Sequence, residues 1–166
     1  MSARDAFLRE YEREHERTMR VLRAYPADKG DYRPAPNCRT AREIAWTFVL
    51  ERGLGTRVFH NEYASGVPSG RTPPPPPENW NDLIAALDKA HHDFGALIKG
   101  MSDEQLAQPV KFMVGPKQLG DWKRLDFAWF LLHDEIHHRG QLSIYLKAAG
   151  GKVPSIYGPS GDERWT

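Results

Sequence analysis

From residue 3 to about residue 25, Phe7, Tyr11, Thr18, Val21, Leu22 and Tyr25 recur at helical spacing with charged residues between them. That pattern predicts an amphipathic helix. After YPADKGDYRPAPNC, rich in turn formers, the chain reads TAREIAWTFVLERGLGTRVFHNEY. Thr40 followed by Glu43 is a capping-box pattern, in which each side chain bonds an amide that a helix start leaves free. A second helix is therefore expected from Thr40 to Tyr63, with Ile44, Phe48, Leu54 and Val58 inward. A third is expected over NWNDLIAALDKAHHDFGALIKGM, facing the core with Leu83, Leu87, Ala90, Phe94, Leu97 and Ile98. VKFMVGPKQLGDW alternates around a Gly-Pro turn, which suits a small hairpin. The last helix is expected to begin near Asp121 as its N-cap. Its end is expected at Gly150-Gly151, where a left-handed cap residue belongs. The tail VPSIYGPSGDERWT holds too much Pro and Gly to continue a helix.

Between the second and third helices lies ASGVPSGRTPPPPPEN, with five consecutive prolines from Pro73 to Pro77. Such a run donates no backbone hydrogen bonds and favours an extended polyproline conformation. A stiff crossover is the simpler reading, and docking of a proline-binding module the sharper one. A long crossover frees helices two and three from being adjacent antiparallel neighbours. The expectation is all-α: one four-helix bundle domain over residues 1–166, without internal repeats.

Composition narrows the function. Basic and acidic residues number 23 and 22, so no charge-driven attraction to nucleic acid or membrane surface is implied. No apolar run reaches the length of a membrane span, and no charged-then-apolar signal opens the chain. A single cysteine, Cys38, excludes an internal disulfide framework and suits a cytoplasmic setting, and it reads as an ordinary thiol near a helix start.

Candidate chemistry concentrates on the last helix, where three of seven histidines fall within HDEIHH. Wound at roughly 100° per residue, Phe127, Leu131, Leu142 and Tyr145 share one sector with Asp134 and His138. His133 and His137 point to a flank, toward Phe130 and Ile144. A further apolar sector of Ala128, Trp129, Leu132 and Ile136 calls for a second buried contact, and a homodimer is the expectation drawn from it. On the second helix, Thr47 and Glu51 lie among the inward apolar residues, where a carboxylate is costly unless paired or bound to a cation. Glu51, Asp134, His138 and Thr47 therefore form a polar cluster able to meet inside the bundle. Its two readings are a satisfied core network and a metal site. His15, His60, His91 and His92 read as surface or flank positions, with His91 a remote candidate.

The stretches RTAREIAWTFVLE and IHHRGQLSIYLKAAGGKVPSIYGPSGDE resemble the second helix and the C-terminal signature of the DinB/YfiT-like family of metalloenzymes. The resemblance implies an up-down-down-up four-helix bundle, often dimeric. It also implies a divalent metal, commonly nickel or zinc, held by three histidines: one on helix two and two on the last helix at i and i+4. The second of those directly precedes Arg-Gly-Gln and corresponds to His138. The other two positions are occupied here by Asp134 and Thr47. With oxygen ligands in place of imidazoles, preference moves from nickel or zinc toward manganese or magnesium, bound weakly or not at all. By resemblance the chain is a metal-dependent hydrolase or low-molecular-weight-thiol S-transferase acting on a small molecule. In that reading His138, Asp134 and Thr47 are at the metal, Glu51 and His137 in catalytic or proton-transfer roles, and Arg139 an anion anchor or a structural ion pair. The alternative is a non-catalytic, stress-related small-molecule-binding bundle that has lost its ligands.

Overall fold

The computed structural model describes residues 2–66 and 72–165; Val67 to Arg71 of the expected crossover lie outside them. Helix α1 spans Ala3–Ala24, capped by Ser2, whose side chain accepts from the Asp5 amide. Helix α2 spans Ala41–Phe59, and the Thr40/Glu43 capping box forms in both directions. It ends one turn short of Tyr63, because Asn61 turns into the left-handed region at φ 58°, a conformation that asparagine tolerates and a helix cannot continue through. Helix α3 covers Trp80–Lys99, with the Asn79 side chain accepting from the amides of Asn81 and Asp82. The sequence pattern missed a short helix α4 at Asp103–Ala107, although Ser102 and Gln105 form a second capping box there.

The expected hairpin exists and is longer than its pattern suggested. Strand β1, Pro109–Gly115, pairs antiparallel with β2, Gln118–Lys123. Its register sets Asp121 opposite Lys111, and the two side chains form an ion pair at 2.9 Å. Asp121 is thus a strand residue and not an N-cap. Helix α5 starts three residues later, Arg124–Ala148, with no side-chain cap. At its far end Gly150 has φ 90°, Gly150 N–H donates to the Lys147 carbonyl and Gly151 N–H to that of Leu146. This is a Schellman ending, in which glycine adopts the left-handed cap without a Cβ penalty.

The four long helices form a bundle in which α1 packs on α3 and α5, and α2 packs on the same two. Phe94 of α3 lies on the backbone of α2 at Gly55, where a Cβ would come within 2.6 Å of its ring. The interior holds two apolar clusters. One includes Phe7, Phe59, Phe94, Phe127 and Leu131; the other includes Leu22, Phe48, Leu83, Leu142 and Leu146. Between them every long helix contributes a buried polar rung: Glu14, His15 and Thr18 from α1, Glu51 and Arg52 from α2, His91 from α3, and Glu135 and Arg139 from α5. Ala128 and Leu132, from the sector thought to need a second contact, are buried in the first cluster, and Trp129 packs edge-on against Phe7 of α1. That sector is closed within the chain, so it does not argue for a dimer.

Candidate metal centre

Two helices build the site. Glu51 comes from the middle of α2, Asp134 and His138 from successive turns of α5, and α2 and α5 pack directly together. Their ligand atoms come within 4.8 Å of one another. Helical phase had set all three on inward faces, and the structure brings them together. His138 Nε2 stands 3.5 Å from Asp134 Oδ2. The Glu51 side chain is buried, yet neither of its oxygens accepts a hydrogen bond. The nearest guanidinium nitrogen, Arg52 Nη1, is 3.9 Å away and is directed at the Phe48 carbonyl, while Nη2 of the same group pairs with Glu135. Burial first, then the adjoining Asp134 carboxylate and the charge of Glu135, push the Glu51 carboxyl up to about 9 against the pull of Arg52. Glu51 therefore keeps its proton at neutral pH, the ordinary outcome when two carboxylates share a dry site.

Gln141 fixes the imidazole. Its Oε1 lies 3.1 Å from His138 Nδ1, while its Nε2 lies 2.9 Å from His137 Nε2. Because the amide nitrogen can only donate, His137 Nε2 accepts, and the amide oxygen then takes the proton of His138 Nδ1. The Nε2 lone pair of His138 is left facing Asp134, the orientation a metal ligand requires. His137 sits on the surface outside the cluster, joined to His138 through that amide.

The Thr47 hydroxyl is engaged on both sides. It accepts from Arg39 Nη1 at 2.8 Å and donates to the Glu43 carbonyl at 3.1 Å. Arg39, from the loop before α2, was not singled out by the sequence, since a loop residue has no helical phase to read. Its Nη2 is 3.4 Å from His138 Nδ1 and 3.5 Å from Nε2, too evenly split and too long to be a directed bond. Arg139 is buried and structural: it pairs with Glu14 at 2.6 Å and donates to the Tyr157 hydroxyl at 2.7 Å.

Of the four histidines read as surface or flank, His60 and His92 are exposed and the other two need correction. His15 and His91 are buried, their rings stacked at 3.7 Å between α1 and α3. His15 Nε2 meets Asp88 at 3.0 Å, and His91 Nε2 meets Glu12 at 3.1 Å. Burial, then the neighbouring His15 and Arg52, drive His91 down to about 3; burial also lowers His15, against the pull of Asp88.

The residues present fit a divalent cation. Two carboxylates and one imidazole form a mixed oxygen–nitrogen set, and a buried carboxylate without a donor is the kind of group a cation satisfies. A helical bundle with such a centre between two of its helices defines a class, and the family follows. The chain matches the DinB superfamily over residues 10–142, so it belongs to that superfamily. The uncharacterized protein YrdA of Bacillus subtilis (strain 168) is 25% identical over 163 residues, which is 96% of this chain and 90% of that protein. Among solved structures, a DinB-like protein from Bacillus cereus ATCC 10987 superposes with a TM-score of 0.73 at 23% identity, covering 92% of this chain and 97% of that one. The DinB-like protein YjoA of Bacillus subtilis gives 0.64 at 15% identity, covering 87% and 92%. These likenesses establish the fold.

Proposed function

We propose that this chain is a divalent-metal-dependent enzyme of the hydrolase or thiol S-transferase kind, acting on a small molecule, with Glu51, Asp134 and His138 as the metal-holding residues. What carries this reading is Glu51: a buried carboxylate with no donor, facing a second carboxylate and an imidazole lone pair. A cation bound there would lower the pKa of a coordinated water or thiol and so supply a nucleophile. Glu51 must release its proton as the cation enters, and Gln141 keeps His138 in the ligating tautomer. Exposed His137 braces the Gln141 amide from the solvent side as an outer partner of His138. With Thr47 engaged by Arg39, the donor set favours manganese over nickel or zinc.

The test is manganese, zinc and nickel titration of untagged protein by calorimetry in buffers of different ionisation enthalpy. The expected result is one site, with close to one proton released per metal bound below pH 8. Glu51→Gln should lose both the uptake and the proton release. A folded wild-type protein that takes up none of the three metals would leave the alternative reading, a non-catalytic small-molecule-binding bundle. One observation favours that alternative, namely the Arg39 cation resting against His138.

A further inference from the structure

Where the family resemblance sets a third imidazole, this chain has Thr47, whose hydroxyl holds a guanidinium beside the centre instead. Arg39 is fixed at both ends: its carbonyl accepts from the Tyr145 hydroxyl at 3.2 Å, and its Nη1 is bonded to Thr47. No carboxylate among the described residues forms an ion pair with it, and the Glu43 carboxylate nearby is spent on the Thr40 amide and hydroxyl. Its Nε makes no hydrogen bond among the described residues, and Nη2 makes only the loose contact with His138. The Nε–Nη2 edge, the side on which a guanidinium binds a carboxylate or phosphate through two parallel hydrogen bonds, is therefore available. Buried Arg52 is answered by Glu135 and does not add to the charge at the mouth. A divalent cation on ionised Glu51 and Asp134 would be neutralised by them, leaving the Arg39 guanidinium, whose charge meets only the more distant carboxylate of Glu43, as the group at the centre able to attract an anion.

We propose that Arg39 is the substrate anchor of this centre, and that the centre takes a small molecule bearing an oxyanion, a carboxylate or a phosphate, held on the Arg39 fork beside the metal. This rests on the metal reading above, and the experiment separates the two. Manganese(II) uptake by the full chain is measured first, by loss of the free-ion paramagnetic resonance signal. Inorganic phosphate and, separately, succinate are then titrated into the manganese-loaded protein, with the relaxation of metal-bound water as readout. Wild type should show saturable displacement of water by at least one anion, and the tighter of the two assigns the group as phosphate or carboxylate. Arg39→Ala should weaken that binding at least tenfold while manganese uptake is kept or tightened, because a competing cation has gone. Arg39→Lys should recover part of the affinity, since it restores charge without the fork. Manganese uptake with no anion response, or an Arg39→Ala variant that binds the anion as wild type does, overturns this inference alone. Failure of wild type to bind manganese overturns it together with the metal reading.

Discussion

Glu51 and His91 are single residues whose burial gives them opposite pH signatures. Folded Glu51 holds its proton up to about 9 and unfolded Glu51 only to the ordinary 4.5, so between those values the native state binds more protons and stability falls as pH rises. His91 runs the other way. Unfolded, it takes a proton at 6.5; folded, it resists to about 3, so stability is lost as pH falls below 6.5, and His15 adds to that loss. Charged and titratable groups facing the two rings include Glu12, Asp88, His92, Arg52 and Glu135. One carboxyl pulling down on the alkaline side and two imidazoles on the acid side place the stability maximum of metal-free protein near pH 6.5. Each limb should cost on the order of a few kcal/mol. Thermal melts in chelator from pH 5 to 9 check this: Glu51→Gln should flatten the alkaline limb and His91→Phe the acid one. The Glu51, Asp134 and His138 cluster was legible in the sequence because all three sit on helices whose phase is set by neighbouring apolar residues. Arg39 was not, lying in a loop, and neither were His15 and His91. Their burial comes from stacking between α1 and α3, a pairing that neither helix's own pattern encodes.

At the scale of elements, local chemistry was readable wherever a side chain bonds its own backbone neighbourhood. The Thr40 capping box and the Gly150-Gly151 ending stand where the sequence put them. Asp121 failed as a cap because strand register, a longer-range property, claimed it for Lys111. The proline run is held by its own chain: Trp46 Nε1 donates to the Pro74 carbonyl at 2.8 Å, and Arg42 donates to those of Pro77 and Glu78. An aromatic donor on a polyproline carbonyl is how separate domains recognise such segments, here used within the chain, which favours the crossover reading. The C-terminal tail is tied down in the same manner. The Tyr157 hydroxyl accepts from Arg139 of α5 and donates to Glu14 of α1 at 2.8 Å, so two parts of the signature, His-Arg-Gly-Gln and Tyr-Gly-Pro, meet in one ion-pair network. Tyr157→Phe keeps the ring over Arg17 and Arg139 but leaves both charged partners one bond short. It should cost ~1–3 kcal/mol in urea unfolding without altering helical circular dichroism.

Across the whole molecule, the all-α four-helix bundle was legible from four apolar stripes and one long crossover, whereas its up-down-down-up order came only as an implication of the family resemblance. The mid-height polar layer was not, because each helix shows only its own rung. Within that layer Glu135 accepts from Thr18 and pairs with Arg52, and its carboxyl is held below the ordinary value although burial alone would raise it. Removing one partner of such a pair strands a buried charge, at a cost of ~3–5 kcal/mol. The layer also bears on how perturbations travel. The two apolar compartments are separated by a layer of polar groups, most of them held in hydrogen bonds, so a void opened in one gives the other few side chains free to slide into it. Thermodynamic coupling between them should accordingly be small. Phe7→Leu lies in one compartment and Leu83→Ala in the other. A double-mutant cycle on this pair should close with an interaction energy below ~0.5 kcal/mol, although each change alone costs several times that. Thr18→Val combined with Arg52→Met, both on the Glu135 carboxylate, should depart from additivity by well over 1 kcal/mol on the scale of groups that share a partner. The bundle would then behave as two separately tunable interiors on one scaffold, each open to sequence drift without regard to the other so long as the rungs between them are kept.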